Sequence, residues 1–169
     1  MTTLPAVAPL LERMAADLAA LMRCGDADRV AMIGVHTGGL WVAEHLHRAL
    51  GLSTELGSLD IGFYRDDFNR VGMKSQVRPT RVPFEVDERC VILVDDVLHS
   101  GRTVRAALNE IFDYGRPAAV RLAVLVDRGG RELPIAADVV GTRLTPDAGR
   151  RIKLRGPDPL ELILEKRAP

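Results

Sequence analysis

The stretch "CVILVDDVLHSGRTV", residues 90–104, decides the fold. It opens with an unbroken aliphatic run, the pattern of a strand covered on both faces, as in parallel sheets. The run ends in two adjacent aspartates, Asp95 and Asp96, and small, hydroxylated and glycine residues follow at once. Residues 101–115, "GRTVRAALNEIFDYG", then take up helical spacing and close on Gly115. In open α/β sheets ligands bind beyond the carboxyl ends of the strands, so this order delivers both carboxylates to a binding edge. Gly101 permits close backbone approach and Ser100 and Thr103 offer hydroxyls. The helix start adds unpaired N–H groups and a positive dipole end, which together suit a phosphate. Carboxylates beside a phosphate pocket accept hydrogen bonds from vicinal hydroxyls, and a ribose 5-phosphate carries both groups. The loop has neither the GxxxxGK nor the GxGxxG pattern. The plainer alternative is that Asp95 and Asp96 only cap the next helix.

Outward from this stretch, strands and helices alternate. Residues 10–22, "LLERMAADLAALM", place Leu11, Met14, Leu18, Leu21 and Met22 on one helical stripe. "RVAMIGV" (29–35), "HTGG" (36–39) and "LWVAEHLHRAL" (40–50) before Gly51 read as strand, tight loop and helix. "STELGSLDIGF" (53–63) is a candidate strand, and "YRDDFNRVGMKSQVRPTRVP" (64–83) is a polar, unperiodic loop. Loops of that length are usually functional or disordered. The strand "AVRLAVLVD" (119–127), the polar "RGGRELP" (128–134) and the short run "ADVVGTRL" (137–144) come next. Two alternating runs around Gly156-Pro157-Asp158-Pro159 predict a hairpin or paired edge strands. The whole pattern is one α/β domain, residues 1–169, with a parallel sheet.

Composition narrows the partners. The chain has 169 residues, 23 Lys plus Arg against 23 Asp plus Glu, and four His. With no net charge there is no global basic field for nucleic acid and no acidic tail, so an anion site must be local. Cys24 and Cys90 lie far apart without a CxxC partner, which argues against a zinc site and fits a reducing compartment. The N-terminus lacks a basic start and carries acids within its apolar part, so it does not read as a secretory signal. No apolar run approaches the roughly 20 residues of a membrane span. The expectation is a soluble cytoplasmic protein with no membrane partner.

At this point a resemblance enters. "VILVDDVLHSGRTVRAAL" (91–108) resembles the phosphoribosyl pyrophosphate (PRPP) motif of type I phosphoribosyltransferases. "GVHTGG" (34–39), "DIGFYRDDF" (60–68) and "LAVLVDRGGRELPIAADVVG" (122–141) are similar, in order and spacing, to the PyrR family. That family comprises uracil phosphoribosyltransferases that in some bacteria also bind pyrimidine-operon (pyr) messenger RNA as transcription attenuators. The resemblance implies the type I phosphoribosyltransferase fold, a mainly parallel twisted sheet flanked by helices. It places a flexible loop at about 64–83 and a small hood with the C-terminal strands at about 128–169. It also implies the reaction of uracil with PRPP to give UMP and pyrophosphate, a role for Mg2+, and a homodimer or higher homo-oligomer.

Residue roles follow from the same resemblance. Asp95 and Asp96 hold the ribose hydroxyls, directly or with Mg2+, while Val97, Leu98, His99, Ser100, Gly101, Arg102 and Thr103 hold the 5-phosphate. Thr37 and Gly38 fall on the pyrophosphate loop, where the family commonly reads T-R-G. Gly38 replaces that arginine, so altered PRPP affinity is expected without loss of catalysis. Arg65, Arg70, Lys74, Arg78 and Arg81 make the long loop a cationic flap that closes over pyrophosphate and excludes water. Arg81 matches a family ligand position and joins Arg65, Asp95 and Asp96 as the catalytic candidates. A local pairing of Arg65 with Asp66 or Asp67 is the alternative for that residue. Arg128 and the backbone near Ile152 line the uracil site. His45 and His47 read as surface residues, and His99 stands where the family often has tyrosine.

The competing function is an RNA-binding attenuator with weak or no catalysis. The family's RNA face draws on helix one and on a segment resembling "HRELPIRADYIGK". Here Arg13, Arg131 and Arg143 are the remaining candidates, while Gly130, Ala136 and Thr142 stand where histidine, arginine and lysine are typical. In helix one, Glu12 and Ala16 stand where a hydroxyl and a histidine are typical. Phosphate contacts dominate nucleic-acid affinity, so the pattern favours enzyme over regulator.

Overall fold

The computed structural model describes residues 3–22, 29–62 and 79–166. In chain order the elements are α1 (Val7–Met22), β1 (Val30–Val35), α2 (Gly38–Leu50), β2 (Gly57–Leu59) and β3 (Cys90–Leu98). They are followed by α3 (Arg102–Tyr114), β4 (Ala119–Asp127), β5 (Val139–Arg143), β6 (Arg150–Arg155) and β7 (Glu161–Lys166). Strands β1 to β5 form one sheet in the order β2-β1-β3-β4-β5, with every neighbouring pair parallel. The expected strand and helix alternation is present, and α2 ends at Gly51 in a left-handed conformation, φ 61°, which glycine adopts at no steric cost.

All six residues of β1 are buried, because helices cover both faces of the sheet. On one face α1 and α2 contribute Leu10, Leu11, Met14, Leu18, Val42 and Leu46, packed on Val30, Met32, Ile92, Val94 and Leu125. On the other, α3 contributes Val104, Ala107 and Ile111 against Ile33, Val35, Leu93 and Val124. The alternation of strand side chains between two apolar layers explains why "VILV" reads as continuous. Truncating fully buried Leu93 to alanine costs about 2–5 kcal/mol.

The C-terminal runs resolve as a separate antiparallel hairpin, Arg150 opposite Lys166 through Arg155 opposite Glu161, and its inner side chains Ile152, Leu154 and Leu162 join the α1 and α2 layer. Two features refine the expectation for the longer segments. β3 does not stop at the aspartates. β1 pairs with it only as far as Val94, but β4 continues the ladder to Leu98 opposite Asp127, so one partner suffices to extend it. The end of the long loop is anchored: Arg81 bridges Ser58 through two 2.8 Å backbone bonds. Thr80 Oγ1 accepts from Asp60 N (3.2 Å) and donates to Glu110 Oε1 (2.6 Å). Arg65, Arg70, Lys74 and Arg78 lie outside the described residues, as does Cys24.

Candidate active site

The sheet order fixes where a site can form. The connection from β1 through α2 runs to β2 on one side, whereas β3 through α3 runs to β4 on the other. The topological switch point, where open α/β sheets bind ligands, therefore lies between the carboxyl ends of β1 and β3. Beyond Val94 the β1 side of β3 is unladdered, and the turn His36–Thr37 with the start of α2 lies against it. A Cβ built on Gly39 would stand 2.7 Å from Val94 O and 2.8 Å from Asp95 Cα; one on Gly38 would stand 2.3 Å from Asp96 Oδ2. All three distances are closer than real Cβ atoms allow, so the two glycines let the helix start touch the aspartates. Asp95 is 2% exposed and its Oδ1 accepts from Asp96 N (2.9 Å). Asp96 is half-buried and its Oδ1 accepts from Val97 N (3.0 Å).

Beside the aspartates, Leu98–Gly101 turns from β3 into α3. Gly101 sits at φ 94°, the left-handed region open to glycine. Ser100, 5% exposed, accepts on its hydroxyl from Arg102 N (3.3 Å). The segment after β4 lies along this turn. Arg128 N donates to Leu98 O (3.0 Å), and Glu132 N and Leu133 N donate to Ser100 O (2.9 and 3.2 Å). Arg102 pairs with Glu132 at the surface, Nε to Oε2 2.8 Å. His99 Nδ1 lies 2.9 Å from Gly129 O; since a carbonyl only accepts, Nδ1 carries the proton. His99 and Gly130, two positions where the chain departs from the resemblance, face each other. The His99 Cε1 would meet a Cβ on Gly130 at 2.7 Å.

Arg131 lies within this contact. Its side chain is 24% exposed and donates to His99 O (2.6 Å), Ile135 O (3.0 Å) and Asp127 Oδ1 (2.6 Å). Burial pushes the Asp127 carboxyl up, but hydrogen bonds from Arg131 and the Gly129 amide, with the charges of Arg131 and Arg143, outweigh it and hold Asp127 below the ordinary aspartate value. Sequence reasoning gave Arg131 to RNA and missed this role, and it missed Glu132 as well. The only signal was that both stand after a strand end.

The remaining candidates are dispersed. Arg81 pairs with Glu55 on the outer edge of the sheet, both side chains more than half exposed, and its strand neighbour β2 is separated from β3 by β1. Thr103 and Arg128 are half-buried beside the turn, whereas Ile152 is buried, with its side chain in the core. The hairpin turn reaches the start of α2, where a Cβ on Gly156 would stand 2.7 Å from Trp41 Cε3. Arg13 donates to Gly141 O on β5, and Arg143 is exposed at the end of the same strand. His45 and His47 bond the carbonyls of Trp41 (2.9 Å) and Thr54 (2.7 Å), a local use.

A buried and a half-buried carboxylate at the switch point, next to a turn whose glycines bring the backbone close, match a known domain. Residues 2–151 match the phosphoribosyl transferase domain family, and the chain belongs to it. Solved structures carry the same fold. A hypoxanthine-guanine phosphoribosyltransferase from Bacillus anthracis aligns with TM-score 0.67 at 21% identity, over 85% of this chain and 84% of that one. A hypoxanthine phosphoribosyltransferase from Trypanosoma cruzi aligns with TM-score 0.61 at 20% identity, over 84% and 73%. Within the domain family the chain belongs with the bifunctional PyrR proteins. It is 56% identical over 160 residues to that of Pseudomonas paraeruginosa, covering 95% of this chain and 94% of the relative. To that of Nitrosococcus oceani it is 56% identical over 158 residues, covering 92% and 89%.

Proposed function

We propose that the chain is a uracil phosphoribosyltransferase, which joins uracil to PRPP to give UMP and pyrophosphate. The observation that carries the reading is the juxtaposition of Asp95 and Asp96 with the Leu98–Arg102 turn at the switch point. The bond from ribose C1 to pyrophosphate breaks and its electron pair leaves with pyrophosphate. Uracil N1 forms the new bond to C1 and its proton is released. Positive charge develops on the sugar, and Asp95 and Asp96, accepting from the ribose hydroxyls, stabilise it by their fixed negative charge. The turn from Val97 to Thr103 takes the 5-phosphate, and Thr37 and Gly38 take the pyrophosphate. Arg128 and the backbone near Ile152 border the base. The resemblance assigns the leaving group to Arg65 and Arg81, although Arg81 is paired with Glu55 at the outer edge of the sheet in this structure. An exposed pair such as Arg81–Glu55 contributes about 0–1 kcal/mol, so Arg81 exchanges Glu55 for an anionic substrate at little cost.

Among the described residues no three or more His, Cys, Asp or Glu side chains gather at one point. Adjacent carboxylates fit Mg2+, which binds one or two carboxylates and otherwise keeps waters and substrate oxygens. Asp95 and Asp96 would hold it, and it would offset the charge of the phosphates. No helix of the described residues is long and apolar enough to cross a membrane. The reading places the reaction in the cytoplasm, where PRPP and nucleotides are made, with a homodimer or higher homo-oligomer as the working assembly.

A second activity, UMP-responsive binding of pyr messenger RNA, is what the family resemblance implies, and the relatives bear the name bifunctional. In this chain it is the weaker of the two. Of its three candidate cations, Arg131 is held inside the loop contact and Arg13 bonds Gly141 O. The test is UMP formation from uracil and PRPP with Mg2+, beside orotate, hypoxanthine and guanine. Turnover of uracil alone supports the reading. No turnover with any base sinks it and leaves RNA binding as the main activity, to be measured by titration.

A further inference from the structure

The phosphate turn is shaped from outside by donors of the segment that follows β4. Leu98 O accepts from Arg128 N, His99 O from Arg131 Nη1, and Ser100 O from Glu132 N and Leu133 N. Three consecutive carbonyls thus face the segment 128–133. No peptide from Leu98 to Gly101 is cis, so each carries its N–H on the side opposite its C=O. The amides of His99, Ser100 and Gly101 are therefore turned together, away from residues 128–133. Successive amides ending in a left-handed glycine form an anion-binding concavity, and here it adjoins the first turn of α3.

The His99–Ser100 peptide depends on a side chain. Its carbonyl takes Arg131 Nη1 at 2.6 Å, while Nε of the same guanidinium binds Ile135 O at 3.0 Å and Nη2 binds Asp127 Oδ1 at 2.6 Å. One planar group thus fixes the phosphate turn to the end of β4 and to the chain that follows it. Lysine cannot replace that fork, since its single nitrogen cannot span the three directions.

We infer that Arg131 is a positioning residue for the 5-phosphate: it orients the His99–Gly101 amides through their carbonyls and makes the phosphate turn and the 127–135 segment one unit. This rests on the phosphate role proposed for the turn, but not on uracil being the base. It gives Arg131 work in substrate binding, in place of the RNA contact that the sequence resemblance implies.

The experiment titrates ribose 5-phosphate into the full-length chain, wild type and the variants Arg131→Ala and Arg131→Lys, with thermal melting in parallel and the KM for PRPP measured where turnover is seen. Loss of the fork should weaken ribose 5-phosphate binding and raise the PRPP KM by about tenfold or more, the scale set by a small misplacement of binding groups. Arg131→Lys should show the weakening with a melting temperature close to wild type, which separates positioning from folding. Methylguanidinium should restore part of the affinity of Arg131→Ala. Wild-type affinity in Arg131→Lys, or in a folded Arg131→Ala, overturns the inference, even if RNA binding falls. If the wild-type chain does not bind ribose 5-phosphate, the phosphate role of the turn and the inference fall together. If it binds but makes no UMP, only the uracil reading fails.

Discussion

The two halves of the site are built by opposite means. The turn proposed for the 5-phosphate, Leu98 to Arg102, is held from outside by donors of residues 128–133. The turn proposed for pyrophosphate, His36 to Gly39, is tied to β2 by His36 N donating to Leu59 O (2.9 Å), but its approach to the aspartates is set by packing. It is brought to Asp95 and Asp96 by the absence of two side chains. The first arrangement tolerates varied side chains as long as its donors remain. The second is limited by space: an atom added at Gly39 meets the backbone of β3, and one added at Gly38 meets the Asp96 side chain, which must turn aside. Precision in the first is a matter of hydrogen-bond direction, and in the second of steric clearance.

Asp96→Asn tests the ground common to both and should have the largest effect. It keeps shape but removes the charge that opposes a developing cation, so UMP formation should fall about a hundredfold. The melting temperature should hardly move, since the group is half-buried at the sheet edge. Turnover near wild type would remove Asp96 from the mechanism. Gly38→Arg is the sharper test of the contrast. The side chain restores the cation usual in the resembling family, yet its Cβ would require the Asp96 carboxylate to turn away. Turnover should drop by about tenfold, as a displaced catalytic group does. A gain in turnover would mean that Gly38 is a simple loss of charge. Gly39→Ala meets backbone, Val94 O and Asp95 Cα, which cannot rotate aside. It should destabilise the fold by about 1–3 kcal/mol, read as a lower urea midpoint, whereas Gly38→Ala should leave that midpoint nearly unchanged.

The same contrast explains how much the sequence disclosed. The parallel sheet was legible because "VILV" and "RVAMIGV" are strands buried on both faces, a condition that dictates composition directly. Asp95 and Asp96 were legible because two charges at the end of such a run need a reason. The lacing of the phosphate turn was not, since Glu132 and Leu133 contribute backbone amides and any residue but proline carries one. Gly38 read as a missing arginine. Its packing on Asp96 depends on β1 ending its ladder at Val94, a register that no local pattern encodes. Arg131 was singled out through the family resemblance as an RNA contact, and its acceptors, His99 O, Ile135 O and Asp127 Oδ1, are set by tertiary packing that a local pattern does not show.

The smallest effect concerns the acid limb of stability, where the laced half of the site should show its chemistry. Asp127 is held below the ordinary aspartate value: burial raises it, but the hydrogen bonds from Arg131 and Gly129 and nearby charge prevail. A carboxyl depressed in the folded state contributes stability that is fully present above its unfolded value, about 3.9. That stability is lost as pH falls through the folded value, because the unfolded chain takes up the proton first. Asp127→Asn should therefore lower stability at pH 7 by about 1–2 kcal/mol, the scale of a charge-assisted bond. The gap to wild type should narrow as the pH is taken below the ordinary aspartate range. Urea unfolding of both chains at pH 7 and near pH 3 measures it. A gap of equal size at both values would mean that Asp127 acts by shape alone, and that the Arg131 fork is held by its two carbonyl bonds without help from charge.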